Sequence, residues 1–322
     1  MHILIYGAGA LGQALGCMLA ADGHRVTLVI RKRFIDTINR GGLHVGGIFG
    51  DYHIEAGRLS LTDSITGADG SSFGAILITT KSYDTAAAVS DLATLTDCSC
   101  PVVSMQNGCG NVELVEAAFG IDRGFGARVI TGFEIVEPGH VTISVSADDI
   151  HIGSCRPGVI PEDAARIAGV IGASGLPCRA VKDVHQSLFA KLLYNTALNP
   201  LGAILGVNYG RLSESEGTMR IMNAVIAETF HVITAAGADL PWETAEQYQE
   251  FFYRALLPAT YDHRPSMLQD LEHGKPTEID AFAGYVSKSG KKHGIATPHC
   301  DMLAELIRFK EQEGPSALAL KN

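Results

Sequence analysis

Lys191, Asn195 and Asn199 stand at i, i+4 and i+8 within KLLYNTALNPL, among leucines and alanine. On an α-helix those positions drift only about 40° and 80° round the axis, so one face carries an ammonium and two carboxamides. An unpaired polar group in such apolar surroundings costs roughly 1–3 kcal/mol, so each needs a partner. A ligand with a carbonyl and a carboxylate would supply them. The ammonium answers negative charge developing on oxygen, and the amides answer oxygen acceptors. The structural alternative is a polar stripe that faces water or caps a neighbour.

A second constellation lies near the N-terminus, where Gly7, Gly9 and Gly12 form G-x-G-x-x-G. The apolar run 3–6 before it reads as a strand, with no signal peptide expected ahead of it. A helix-compatible stretch, 10–22, follows; Gly23 ends it, and residues 26–30 read as the next buried parallel strand. That context is what a dinucleotide fingerprint requires. Gly7 permits the tight turn, Gly9 lets backbone approach a pyrophosphate, and Gly12 lets helix and strands pack closely. The first helical residues, Ala10 and Leu11 among them, then offer N–H groups and a partial positive charge to phosphate.

The end of the second strand chooses the nucleotide. An NAD site places an acid about 20 residues after the fingerprint, to hold the ribose 2′-hydroxyl. Here Arg31, Lys32 and Arg33 follow the strand, and the first acid is Asp36. Cations beside an expected 2′-phosphate argue for NADP, with Arg31 the foremost because a guanidinium grips phosphate with two hydrogen bonds. A solvated basic loop is the alternative, though a local excess of cations stands out in a chain of net charge −10.

Composition sets the bounds. The 322 residues suit two domains better than one, and 46% hydrophobic residues can build sizeable cores. The acidic balance excludes an extended nucleic-acid face. Seven scattered cysteines match no zinc spacing and read as reduced thiols in a cytoplasmic protein. No apolar stretch reaches the roughly 18–20 residues of a membrane span. The histidines at 185, 231, 263, 273, 293 and 299 form no metal-ligand motif, so no metal is expected.

The elements that must position these groups change character along the chain. Short β-type runs alternate with helical segments up to about residue 182. Strands are expected at 75–80, 101–104, 128–136, 140–145, 150–153 and 178–181, with a helix over 161–173. The pair flanking the EPG turn should lie antiparallel near a sheet edge. The glycine-rich stretch 41–57 reads as a loop with a short strand or hairpin. Beyond, helical periodicity takes over at 183–206, 212–237, 242–257, 277–293 and 298–312, and 313–322 reads as a frayed tail. The fold class is therefore α/β: a Rossmann-type dinucleotide-binding domain, 1–182, followed by an all-helical domain, 183–322. Ligands in such sheets lie beyond the carboxyl ends of strands, which draws attention to Lys81 and Asn107. Gln106-Asn107-Gly108 could equally be a plain turn.

These residues resemble the ketopantoate reductase family over nearly the whole length. The resemblance is carried by GAGALG at 7–12, QNG at 106–108, KLLYNTALNPL at 191–201 and SMLQDLEHGKPTEID at 266–280. It implies Lys191 as general acid, with Glu278 holding the substrate's hydroxyl, helping to place the lysine and touching the cofactor. It implies that Asn195, Asn199 and Ser266 bind the substrate. Asn107 and Lys81 then contact cofactor or substrate near the reacting carbon, and the reductant is NADPH. The chemistry agrees with the residue types, because hydride addition leaves charge on a ketone oxygen that an ammonium can stabilise and protonate. Two of these positions have bland readings. Glu278, after Pro276, could be the acidic first turn of a helix, and Ser266 could be a helix cap.

The expectation is an NADPH-dependent reductase that converts 2-dehydropantoate to (R)-pantoate in pantothenate and coenzyme A biosynthesis. Its partner is a small 2-oxo acid, with no nucleic acid or membrane, and the helical half could support a homodimer. The rivals are a same-fold reductase of another branched 2-oxo acid and a dinucleotide-binding sensor without catalysis.

Overall fold

The computed structural model describes residues 1–156 and 158–314. The chain divides into two compact units, Met1–Ser187 and Leu188–Asn322.

In the first unit β-branched and leucine-rich runs form strands because they fit a pleated, buried surface. In chain order these are β1 (His2–Tyr6), β2 (Arg25–Val29), β3 (Leu43–Gly47), β4 (Tyr52–Ile54), β5 (Ser60–Thr62) and β6 (Ala75–Ile78). They continue as β7 (Val102–Ser104), β8 (Gly124–Arg128), β9 (Thr131–Glu137), β10 (His140–Ser146), β11 (Ile150–Gly153) and β12 (Cys178–Ala180). The helices of this unit are α1 (Ala10–Ala21), α2 (Ile35–Gly41), α3 (Thr85–Leu92), α4 (Asn111–Phe119) and α5 (Glu162–Ala173).

Eight strands form one sheet in the order β12-β11-β8-β7-β6-β1-β2-β5, parallel except where β11 meets β8. Chain order reverses direction at β1, between β2 and β6, which is the switch point where such sheets receive ligands. The remaining four strands make a second sheet, β4-β3-β10-β9. The glycine-rich stretch 41–57 supplies its β3–β4 hairpin, and α1 packs against this sheet. Leu43, Val45, Ile54, Val141 and Ile143 join Leu15, Met18 and Leu19 in one buried cluster. The hairpin thus covers the helix that carries the glycine loop.

The strand expected over 128–136 is two strands. Arg128 ends β8 in the large sheet, whereas β9 belongs to the small one. The EPG turn does join antiparallel strands, with Val141 opposite Ile135 and Ile143 opposite Phe133.

The second unit is helical. Helix α6 (Val184–Leu205) starts just before the division, and α7 (Glu216–Ala235), α8 (Ala245–Phe251), α9 (Leu257–Ala259), α10 (Ser266–Glu272), α11 (Ala283–His293) and α12 (Pro298–Glu313) follow. Three expected helices are interrupted. A 3₁₀ turn, Tyr209–Glu214, precedes α7; a π turn, Phe252–Leu256, follows α8; and a 3₁₀ turn, Ile279–Ala281, precedes α11. The tail expected over 313–322 lies outside the described residues beyond 314, and Glu313 is the last residue of α12. No helix among the described residues is long and apolar enough to cross a membrane.

Candidate active site

In the first unit four neighbouring strands, β7, β6, β1 and β2, end at one edge of the sheet. Asn107 follows β7, Lys81 follows β6, the glycine loop follows β1 and Arg31 follows β2. The sheet therefore lines up all the cofactor candidates of this unit along the edge where doubly wound folds bind nucleotides.

Steric constraints define the loop. Gly7 holds φ +115°, a left-handed conformation disfavoured for other residues. A side chain at Gly12 would put its Cβ 1.9 Å from the Gly7 carbonyl oxygen. At Gly9, by contrast, a Cβ would meet nothing within 4 Å. That position opens into space beside the first turn of α1, whose N–H groups have no intrahelical partner. Side chains then lock the loop: Thr79 Oγ1 donates to Gly7 O at 2.6 Å, and Gln13 Nε2 donates to Ala8 O at 2.8 Å.

Lys81 and Asn107 are tied to each other through a buried carboxamide. Gln106 Nε2 donates to Lys81 O at 3.3 Å, to Thr80 Oγ1 at 3.1 Å and to Thr85 Oγ1 at 2.8 Å. Its Oε1 accepts from Ser104 Oγ at 3.0 Å. Asn111 Nδ2 donates to Asn107 O at 2.9 Å, while its Oδ1 accepts from Thr85 Oγ1 at 2.8 Å. The sequence carries no separate signal for Thr79, Thr85 and Asn111, and Gln106 stands in a QNG segment that reads equally as a plain turn. The one signal available was a glutamine next to a strand too apolar to leave it unpaired.

Arg31, Lys32 and Arg33 are all exposed, and Arg33 stacks on Phe34 with its guanidinium carbon 4.7 Å from the ring centre. None of the three engages a carboxylate among the described residues, and no acid stands at the end of β2. A doubly charged phosphate monoester fits this donor set, because its anionic non-bridging oxygens suit guanidinium donors.

In the second unit α6 carries Lys191, Asn195 and Asn199 on successive turns. Leu192, Leu193, Ala197, Leu198 and Leu201 around them are at most 4% exposed, so the polar face sits in a well-packed helix. Pro200 lies inside α6 and can donate no backbone hydrogen bond to the Thr196 carbonyl. Asn195 is buried, yet among the described residues its carboxamide makes no hydrogen bond. Next to it, Tyr194 donates its hydroxyl to Thr260 Oγ1 at 2.7 Å; burial pushes this phenol up to about 12.

The structure brings Asn199 and Ser266 together, with Nδ2 donating to Oγ at 2.9 Å. Ser266 is the first residue of α10 rather than its cap, a position Pro265 holds. Glu278 lies outside any α-helical first turn, at the start of the 3₁₀ turn 279–281, and is buried. Thr277 performs the local capping, with its Oγ1 accepting the Ile279 N–H at 3.2 Å. Neither bland reading of Ser266 or Glu278 describes its place in the fold.

Comparison with known proteins matches this arrangement over both units. Residues 3–157 fit the family model described as ketopantoate reductase PanE/ApbA, and residues 183–311 fit the model of that family's C-terminal part. A 2-dehydropantoate 2-reductase of Aquifex aeolicus is 35% identical over 311 residues, covering 97% of each chain. One of Pyrococcus horikoshii is 30% identical over 315 residues, covering 98% of this chain and 99% of its own. Among solved structures, a PanE/ApbA family ketopantoate reductase from Ralstonia eutropha superposes with a TM-score of 0.84 at 30% identity, covering 97% of this chain and 99% of its own. A D-mandelate dehydrogenase holding NADH and anilino(oxo)acetate also reaches 0.84, at 26% identity and the same coverage.

Proposed function

Because the chain belongs to the ketopantoate reductase family, we propose that it reduces 2-dehydropantoate to (R)-pantoate, with NADPH as reductant, in the cytoplasm. The observation that carries this reading is the polar face of α6, where Lys191 and an unsatisfied Asn195 precede an Asn199 bonded to Ser266.

The first unit would hold the cofactor. Gly9, Ala10, Leu11 and Gly12 would receive the pyrophosphate on backbone N–H groups, Gly7, whose N–H is donated to Val29 O at 3.2 Å, would shape the turn beneath it, and Arg31 would pair with the 2′-phosphate. Lys81 and Asn107, fixed by Gln106 and Asn111, hold its reactive half. When bound, NADPH supplies the hydride that adds to the substrate's carbonyl carbon. Lys191 Nζ stabilises the charge that develops on the carbonyl oxygen and gives it a proton. Glu278 orients that ammonium, contacts the cofactor and takes up the substrate's hydroxyl. Asn195, Asn199 and Ser266 form the wall that receives the carboxylate.

The test is oxidation of NADPH by purified protein, followed by absorbance, with ketopantoate, 2-oxoisovalerate, pyruvate and oxaloacetate, repeated with NADH. A kcat/KM for ketopantoate well above the others, and NADPH preferred, is the expected result. Tight NADPH binding without ketopantoate turnover would sink the assignment. The likeness to D-mandelate dehydrogenase favours one second reading, a same-fold reductase of another 2-oxo acid.

A further inference from the structure

The large sheet has a second edge, opposite the one where Arg31, Lys81 and Asn107 stand, and it carries sulfur. Strand β7 runs from Val102 to Ser104; Asn107 follows its far end, and Cys98-Ser99-Cys100 leads into its near end. The two thiols face each other, with their sulfurs 3.7 Å apart. Alpha carbons two residues apart are separated by at most about 7 Å, the outer limit for a disulfide. Side-chain direction then decides whether such a pair can bond, and here the sulfurs converge.

Backbone and neighbours hold the pair in that arrangement. Asp97, directly before Cys98, takes φ +51°, the one positive φ outside glycine among the described residues. A Cβ on Gly70 would come within 2.5 Å of Cys98 Cβ, so the segment is pressed against a glycine. Arg123, just before β8, spans both cysteines. Its Nε donates to Cys100 O at 3.1 Å, and its Nη2 reaches Cys98 Sγ at 3.8 Å.

Surroundings separate this pair from the other free thiols. Cys17, Cys100, Cys109 and Cys300 are buried, whereas Cys98, Cys155 and Cys178 are half-buried. Burial and the carboxylates of Glu116, Glu113 and Asp183 push Cys155 up, and burial with Asp149 pushes Cys178 up to about 12. Cys98 has the Arg123 guanidinium against its sulfur, a cation that suits charge there. Cys100 is pushed up to about 12, first by burial and then by the charge and hydrogen bond of Cys98, against the pull of Arg123. Capping Cys98 removes that neighbouring charge, so Cys100 is better placed to react second than first.

We propose that Cys98 and Cys100 form a dithiol redox site, remote from the cofactor edge, that reacts with small disulfides. Cys98, as thiolate, attacks one sulfur of the small disulfide, bonds to it and expels a thiolate. Cys100 then loses its proton to water and attacks Cys98 Sγ, which forms the Cys98–Cys100 bond and expels the second thiolate. The protein pair gives up two electrons and two protons, and the small disulfide leaves as two thiols that have gained them. A ring closed across Ser99 alone recovers little loop entropy, so the bond is reversible rather than structural.

The test is incubation of the purified full chain with oxidised glutathione, then acid quench, alkylation and peptide mass mapping. The expected product is one internal disulfide joining 98 and 100, with both thiols lost to alkylation and both restored by reduced glutathione. Cys100→Ser should stop at one glutathione on Cys98, and Cys98→Ser should leave Cys100 unmodified. The unsubstituted chain decides by itself, whether or not either variant folds. Both thiols still open to alkylation, glutathione retained on Cys98, or a bond that involves Cys155 or Cys178 would each overturn the assignment.

Discussion

The glycine loop and the polar face of α6 are built in opposite ways. At the loop the informative residues are those without side chains: Gly12 has no room for a Cβ, and Gly9 leaves an opening. On α6 the informative residues are those whose side chains are expensive to bury, Lys191, Asn195 and Asn199. A substitution in the first region should therefore register in the fold or in cofactor affinity. One in the second should register in the chemistry or in substrate affinity, with the fold spared wherever the side chain is not itself part of a bonded pair.

The largest test of that contrast is Lys191→Ala. Loss of a general acid should lower kcat by about 10²- to 10⁴-fold. NADPH affinity, measured by fluorescence titration, should hardly change. A variant that retains full turnover would remove Lys191 from the reaction, and one that loses NADPH binding in step with kcat would merge the two regions.

Next come two alanine substitutions only three residues apart in sequence and opposite in expected outcome. In Gly12→Ala the new Cβ would approach Gly7 O at 1.9 Å, so α1 must shift. Overpacking of that kind costs about 1–3 kcal/mol, visible as a lower urea midpoint. Gly9→Ala meets nothing within 4 Å and should leave the midpoint unchanged while weakening NADPH. Equal stability of the two variants would break the steric account of the loop.

Arg31→Ala is a smaller effect confined to the cofactor. Removing one charge-assisted contact should raise KM for NADPH about 10-fold and leave KM for NADH where it was. Parallel losses with both nucleotides would place Arg31 away from the 2′-phosphate.

Which parts were legible in the sequence follows from how local their causes are. The loop was legible because glycines at fixed offsets between a strand and a helix are a short-range pattern. The α6 face was legible because polar residues four apart in an apolar run stand out at 3.6 residues per turn. The second sheet was not. Its β3 pairs in parallel with β10, His44 against His140, across almost a hundred residues, and no local pattern announces such a partner. The stretch 128–136 reads as one strand for the same reason: its residues are uniformly strand-like, and only tertiary context sends Arg128 and Thr131 to different sheets. The Gln106 network was hidden because a glutamine beside asparagine and glycine looks like turn chemistry, whereas its four partners come from Thr80, Lys81, Thr85 and Ser104.

The smallest effect lies outside both regions, where the contrast predicts stability without chemistry. His185, at the start of α6, has Nε2 3.5 Å from Glu113 Oε1 on α4. Burial pulls the imidazole down, but hydrogen bonding and charge from Glu113, with further charge from Asp183 and Glu116, more than reverse it, so His185 lies above its ordinary 6.5. For Glu113 burial pushes upward, and His185 with backbone donors outweighs it, leaving the carboxyl below its ordinary 4.5. The histidine's contribution is whole below 6.5 and fades as pH rises through its folded value. The carboxylate's contribution is whole above 4.5 and fades as pH falls through its own. Their common window is therefore mildly acidic, between those two ordinary values. Glu113→Gln should lower the urea midpoint more at about pH 5.5 than at about pH 8.5, and leave kcat with NADPH and ketopantoate unchanged at both. A change in kcat that tracks the stability change would mean that the start of α6 is coupled to Lys191 two turns further on, and the separation of scaffold from chemistry would have to move along the helix.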